Sequence, residues 1–178
     1  MAEVIRRQHI DADVEHHGFG FQESDDADVP VPFPDDFTDR EFLNPFPGRL
    51  DIRSAGHTHT ASITVEVWNG PPPEPDSTEW DEHAEADFES SRGEVAVWSM
   101  GLGRAGDVIT LADSGGSWRV RVGCLGRRAA AALSEQEGTG HGAEKYLVRF
   151  WPAVRGASAH LSVHGRPHAA TRASRATA

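Results

Sequence analysis

The clearest alternation of apolar and polar positions lies at residues 115–124, which read GGSWRVRVGC. Every second residue there is apolar, namely Trp118, Val120, Val122 and Cys124. Arg119 and Arg121 fall on the opposite face, and this period of two is typical of a half-buried β-strand. We therefore predict that this stretch is the central strand of an antiparallel sheet. Cys124 is the only cysteine, so we interpret it as a small buried residue of the core.

Shorter alternating stretches predict further strands on both sides of this one. Residues 10–14 alternate like an edge strand with an acidic outer face. Residues 49–54 and 62–68 are predicted to pair as a hairpin through a turn at Gly56. Residues 79–90 fit either a strand or a helix, and we favour the strand. Further strands are predicted at 94–100, 107–111 and 146–151, with a possible short final strand at 161–163.

Three segments break the strand pattern. Residues 127–137, RRAAAALSEQE, are rich in alanine and predict one short helix. Residues 22–48 contain five prolines and four phenylalanines. Because proline cannot donate to a strand ladder, we expect a long acidic loop here that is pinned by its aromatic side chains. The polar, alanine-rich residues 166–178 predict a disordered tail.

These elements define a fold class. Many short strands with frequent turn signals and little helix are typical of an all-β protein. We predict a single antiparallel β-sandwich domain over residues 1–165, with a jelly roll or a barrel as the alternative.

Charge is distributed unevenly along the 178 residues, whose net charge is −11. Residues 1–89 carry 22 acidic and 5 basic side chains, whereas residues 90–178 carry 6 acidic and 12 basic ones. Either the two halves attract each other within one domain, or the acidic half faces a basic partner. An acidic chain lacks the broad basic surface that nucleic acid requires, so we expect no nucleic-acid partner.

The sequence also predicts a cellular location. No apolar run approaches the roughly 18 residues that span a bilayer, and the start of the chain lacks the apolar centre of a signal peptide. We therefore expect no membrane contact and a cytoplasmic location. Lys145 is the sole lysine, and such a preference for arginine is typical of high-GC bacterial coding.

The order of motifs resembles a known family. RLDIRSA, ITVEVWNGPP, Trp80, GEVAVWS, GSWRVRV and EKYLVRFWP follow one another between Arg49 and Pro152. This succession resembles a group of β-sandwich proteins from high-GC Gram-positive bacteria. It is more distantly similar to competence protein J, a β-sandwich inhibitor of a competence nuclease. The resemblance implies the fold and lends some support to an inhibitor role, but it assigns no inhibitory residue.

Candidate chemistry is sparse. His57 and His59 have H-x-H spacing, which on a strand places both imidazoles on one face and could chelate a metal ion. Glu66 lies seven residues after His59, too far for the third ligand of a cupin-type site. We therefore expect no cofactor and treat the pair as weak candidates. Because there is also no G-x-S-x-G nucleophile elbow, we predict that the protein is not an enzyme.

The remaining pattern favours protein binding. We predict a non-enzymatic acidic interaction module, such as an inhibitor or immunity-like protein that caps a basic protein partner. The predicted contact residues are the loop carboxylates and two tryptophans on strand faces opposite the core, namely Asp25, Asp26, Asp28, Asp35, Asp36, Trp68 and Trp98. The alternative is a small metal- or ligand-binding β-protein that uses His57 and His59.

Overall fold

The computed structural model describes residues 1–25, 27, 37–75, 79–135 and 140–153. They form two facing sheets of five strands each and one short helix, which confirms the all-β sandwich. Sheet A has the order β1-β5-β10-β9-β6 and sheet B the order β3-β4-β2-β7-β8. The elements are β1 Val4–Val14, β2 Gly18–Glu23, β3 Leu43–Phe46, β4 Arg49–Arg53, β5 His59–Trp68, β6 Glu82–Ser90, β7 Glu94–Ser99, β8 Gly103–Thr110, β9 Gly116–Leu125, α1 Arg127–Glu135 and β10 His141–Pro152.

The inward and outward residues of strand β9 are as predicted, but its position in the sheet is not. Its apolar residues, Trp118, Val120, Val122 and Cys124, are all buried in the core. The centre of sheet A is β10, however, and β9 lies between β10 and β6. Strand β10 runs parallel to β5 and antiparallel to β9, so sheet A is mixed rather than purely antiparallel. The alternation reports which face is inward and carries no information about neighbouring strands.

The predicted hairpin of residues 49–54 and 62–68 is wrong. Strand β4 pairs with β2 and β3 in sheet B, whereas β5 pairs with β1 and β10 in sheet A. The turn around Gly56 therefore crosses between the two sheets. The hairpin that β4 does form is with β3, through a turn in which Gly48 has a φ of 68°. A positive φ favours glycine because it has no Cβ.

The predicted loop at residues 22–48 contains more regular structure than expected. Strand β2 extends to Glu23 and β3 occupies Leu43–Phe46. Strand β3 tolerates Pro45 because it is an edge strand, where a missing donor costs little. Phe37 and Phe42 are buried, in line with the expected pinning.

Other predictions have mixed outcomes. Residues 82–90 are strand β6, which confirms the favoured interpretation, and residues 4–14 form the expected edge strand β1. Strand β8 is longer than predicted. Helix α1 begins as predicted, at Arg127, and the backbone amides of Gly126 and Arg127 donate to Asp81. The predicted strand at 161–163 and the tail at 166–178 lie outside the described residues.

The core between the sheets is held by aromatic contacts. Phe19 and Phe21 project from sheet B, and their ring centroids lie 5.1 Å from Tyr146 and 6.0 Å from Phe150 of β10, respectively. Phe88 of β6 contacts Phe150 from within sheet A. Edge-to-face pairs of this kind stabilise cores beyond the burial of area alone. No helix in the described parts of the chain is long and apolar enough to cross a membrane.

Candidate functional site

The outer face of sheet A, which points away from sheet B, carries most of the ordered polar chemistry on the surface. The cross-strand register places the residues of this outer face in rows that run across the strands. One row consists of His9, Thr64, Leu147 and Gly123, and the next consists of Arg7, Glu66, Arg149 and Arg121. Side chains in adjacent positions of such rows interact directly. The face therefore has an almost uncharged row beside a charged row in which Glu66 is the single anion among three arginines.

Two described parts of the connection from β5 to β6, residues 69–75 and 79–81, contact this outer face. Arg121 Nη1 donates to the Pro73 carbonyl at 2.8 Å, which holds the connection against β9. At its other end the Trp80 ring lies on Gly123, where an added Cβ would come within 2.6 Å of the ring. Gly123 is thus required for this close approach of the Trp80 ring.

Arg121 is the most enclosed cation of the outer face. It is buried although it points away from the core. Its guanidinium bonds Glu85 and Glu74 and lies 5.4 Å from the ring centroid of Trp151. Arg119 beside it pairs with Glu85 and Asp87 at 2.9 Å. These contacts fix β9 to β6 on the outer side of the sheet.

Glu66 is the anionic centre of the charged row. Its carboxylate accepts from Arg7 at 2.6 Å, from Trp68 Nε1 at 3.0 Å and from Arg149 at 3.1 Å. Burial alone would raise the pKa of Glu66, but these hydrogen bonds outweigh it and the pKa lies below its ordinary value. Glu66 is therefore ionised and fully engaged at neutral pH.

A groove of about 390 Å³ lies on this face between Trp80 and strand β1, and it is open to solvent. Leu147 and Thr64 lie on the central strands beneath it, and Trp80 and Leu125 flank its other side. The residues around the groove are Arg7, His9, Thr64, Glu66, Trp80, Leu125, Lys145, Tyr146 and Leu147. Its volume lies within the range of small-molecule sites and of pockets that receive a partner's side chain.

A second polar cluster lies inside the sandwich. Ser54 Oγ donates to Glu144 Oε2 at 2.5 Å and lies 2.9 Å from His59 Nε2. Tyr146 donates to the same carboxylate oxygen at 2.8 Å, and the Ala55 amide donates to the other at 3.0 Å. Arg127 lies 3.5 Å from the carboxylate. All the side chains that contact Glu144 Oε2 are buried.

This cluster contains serine, histidine and glutamate but does not have the geometry of a hydrolytic triad. Ser54 and Glu144 both face the same imidazole nitrogen, whereas a triad needs the acid and the serine on opposite nitrogens. Burial also keeps substrate from the serine. Burial would raise the pKa of Glu144, yet its hydrogen bonds, beginning with His59, hold the pKa below 4.5. We interpret the cluster as a structural one.

Burial also affects two neighbouring groups. It raises the pKa of Cys124 to about 12, with the charge of Glu144 as a further cause. It raises the pKa of Tyr146 well above its ordinary value. Both groups are therefore neutral at physiological pH, and Cys124 is a buried free thiol as the sequence predicted.

The two histidines of the H-x-H pair occupy different environments. His57 is exposed in the turn before β5, whereas His59 is buried in the interior cluster. The ring of His57 instead lies 5.3 Å from that of His16 and 5.0 Å from that of His17. Within the described residues, no three histidine, cysteine or carboxylate side chains are grouped so as to hold a metal ion.

Only three of the seven predicted contact residues, Asp25, Trp68 and Trp98, lie within the described residues. Asp25 lies 2.9 Å from Arg92, and its side chain is 38% exposed. Trp68 and Trp98 are half-buried rather than fully exposed. Asp26, Asp28, Asp35 and Asp36 lie outside the described residues. The groove, Arg121 and Glu144 were not among the predicted site residues.

Comparison with solved structures identifies the class of β-sandwich to which this fold is similar. It is similar to ComJ of Bacillus subtilis, an inhibitor of the DNA degrading activity of NucA, with a TM-score of 0.56 and 14% identity over 86% of this chain and 99% of ComJ. It is also similar to the protein described as crocagin biosynthetic gene J, with a TM-score of 0.53 and 11% identity over 85% of this chain and 98% of that one. No family model and no curated protein sequence matches the chain.

These similarities confirm the resemblance to competence protein J at the level of the fold. At such low identity they do not transfer residues or activities. The relation to proteins of high-GC Gram-positive bacteria stays a prediction.

Proposed function

We propose that this protein is a non-enzymatic, inhibitor-like module that binds a basic protein partner. The observation that carries the proposal is the similarity of the fold to that of ComJ. ComJ is an inhibitor of the DNA degrading activity of NucA, and the similarity covers 99% of the ComJ chain. The partner is proposed to be an enzyme or toxin-like protein of the same cytoplasm.

The charge distribution supports a basic partner, although part of the acidic excess is used internally. Several arginines of the second half pair with carboxylates of the first half. These pairs are Arg92 with Asp25, Arg119 with Glu85 and Asp87, Arg121 with Glu74, Arg127 with Glu82, and Arg149 with Glu66. The chain still has a net charge of −11, so its surface remains acidic and would steer a basic protein toward it.

A metal- or ligand-binding function through His57 and His59 has less support. The imidazole of His59 is buried with Ser54 and Glu144, and only His57 is accessible. The two side chains therefore offer no common accessible face to a metal ion.

The experiment is capture from an extract of the source organism at low and high salt, followed by purification of the captured protein. Its activity is then measured with and without a stoichiometric amount of this chain. We expect a basic protein that is released by high salt and whose activity falls when the chain is added. Capture that is independent of salt, an acidic partner, or unchanged activity would contradict the proposal.

A further inference from the structure

We propose that the groove on the outer face of sheet A is the main anchoring site for the protein partner. We propose further that it receives an aromatic side chain with a carboxylate next to it, from an extended segment of that partner. This inference rests on the proposed protein-binding function and adds to it a location and a recognition chemistry.

The shape of the groove suits an aromatic side chain. Trp80 and Leu125 form one side, and Leu147 lies on the central strand β10. The Trp80 ring packs closely on Gly123 and lines the groove in the free protein. Such preorganised aromatic surfaces are the common centres of binding energy in protein interfaces. Leu125 is 40% exposed, so its side chain is available to a partner.

The charge around the groove is locally positive although the protein is acidic. Arg7 and Arg149 share the single carboxylate of Glu66, which leaves one positive charge in excess there. Lys145, the only lysine of the chain, is exposed and makes no ion pair with any described residue. Asp11 lies in the cross-strand row of Lys145, but its carboxylate is 3.1 Å from His141 Nε2. A carboxylate of a partner would therefore meet the charge of Lys145 together with the excess positive charge that Arg7 and Arg149 leave beside Glu66.

The open form of the groove favours a protein segment over a small molecule. Small ligands are generally held in pockets that cover most of their surface, whereas this groove lies on an open sheet face. A protein partner covers the rest of the groove with its own surface. The acidic surface elsewhere and the positive groove are compatible, because long-range charge sets the rate of encounter and local contacts set the lifetime of the complex.

The sole lysine gives a direct test. Reductive methylation with ¹³C-formaldehyde labels only Lys145 and the amino terminus, and the labelled lysine keeps its charge. The labelled protein is titrated with the capped peptide Gly-Glu-Phe-Glu-Gly, and with Gly-Lys-Phe-Lys-Gly and Gly-Glu-Ala-Glu-Gly as controls. We expect a saturable shift of the Lys145 methyl signal with the first peptide alone, while the amino-terminal signal stays unchanged. No shift, or equal shifts with all three peptides, would overturn the proposal.

Variants locate the site independently. Binding of the fluorescein-labelled Gly-Glu-Phe-Glu-Gly peptide is measured by anisotropy for Leu125→Arg and Lys145→Glu. We expect each to weaken binding by about tenfold or more, as changes at interface centres do. The matched controls are Leu102→Arg and Arg128→Glu, which change exposed residues that do not line the groove. Equal losses in the controls would contradict the assignment, as would phenylacetate that binds as tightly as the peptide.

Repeating the extract capture with Leu125→Arg separates this inference from the proposed function. Loss of capture by Leu125→Arg but not by Leu102→Arg would support both the groove as the anchoring site and the proposed protein-binding function. Undiminished, salt-dependent capture by Leu125→Arg would reject the groove and leave the proposed function standing. Peptide binding at Lys145 without any captured partner would reject the proposed function and leave a peptide site.

Discussion

The two faces of sheet A are built from the same strands but are stabilised in different ways. The inner face is apolar along most of its length, with one polar cluster around Glu144 and a separate buried hydrogen bond from Ser90 to Glu23. The outer face carries Glu66 at the centre of an ion-pair row and Trp80 over a glycine. The inner face therefore holds the sheets together, and the outer face leaves a groove open to solvent.

The two carboxylates illustrate the difference. Each accepts several hydrogen bonds, and the pKa of each lies below its ordinary value. The side chains of Glu144, His59, Ser54 and Tyr146 are all buried, so loss of one partner cannot be replaced by water. Arg7, which holds Glu66, is 55% exposed, and water can take its place. Although the two carboxylates are hydrogen-bonded in similar ways, we expect Glu144 to contribute more than Glu66 to the free energy of unfolding.

The largest effect is expected from Trp118→Ala on the inner face. Removal of this buried ring should lower the free energy of unfolding by about 3 to 5 kcal/mol. Urea denaturation measures it, with Trp68→Ala on the outer face as the control that should lose clearly less. A loss below about 1 kcal/mol for Trp118→Ala would show that the two faces are wrongly assigned.

The second-largest loss of stability is expected from Glu144→Gln. The variant keeps the shape of the side chain but leaves Arg127 and the donors around it with a neutral partner. We expect a loss of about 3 kcal/mol in the free energy of unfolding at neutral pH, because breaking a buried charged network is costly. Urea denaturation at pH 7 checks it. A loss similar to that of Glu66→Gln would remove the contrast between the two faces.

The pH dependence of the same variant sharpens the comparison. The folded-state pKa of Glu144 lies below 4.5, so its ionisation stabilises the protein above about that pH. This contribution is lost as the pH falls through the folded-state pKa. We therefore expect the stability gap between wild type and Glu144→Gln to be widest near neutral pH and to narrow below about pH 4.5. A gap that is constant from neutral pH to pH 3 would refute the role of the charge.

Glu66→Gln should have a smaller effect on stability. We expect a loss of about 1 kcal/mol, since Arg7 is exposed and can turn to solvent. The same urea series measures it. Because the groove would become more positive, the variant should bind the Gly-Glu-Phe-Glu-Gly peptide at least as tightly as wild type. A loss as large as that of Glu144→Gln would mean that the outer face is also structural.

The smallest effect on stability is expected from the triple change Asp25→Asn, Asp26→Asn, Asp28→Asn. The melting temperature should stay nearly unchanged, because the Asp25–Arg92 pair is largely solvated. Capture of a basic partner should weaken several-fold at low salt, where the Debye length is about 10 Å at 0.1 M. The control changes Asp39, Glu41 and Asp113 to their amides. A clearly lowered melting temperature with unchanged capture would show that the carboxylates neutralise arginines of the same domain.

The sequence pattern indicates that two of the polar residues in the interior cluster are buried. His59 lies in phase with Ala61, Ile63 and Val65, and Glu144 lies in phase with Tyr146, Val148 and Phe150. This parity indicates that both side chains point inward. A buried histidine and a buried carboxylate then need partners, so each predicts the existence of a polar cluster without predicting its members.

What the sequence by itself determined is which residues of strands such as β9 and β10 face inward, because alternation with a period of two is local to one strand. It also indicated the strand at 82–90 and the start of the helix. The tertiary structure decided which strands are neighbours: β4 and β5 separate into different sheets, and β10 rather than β9 is central. It also decided that Ser54 meets Glu144 across 90 positions and that Trp80 closes one side of the groove. Such contacts join residues far apart along the chain, and no local pattern encodes them.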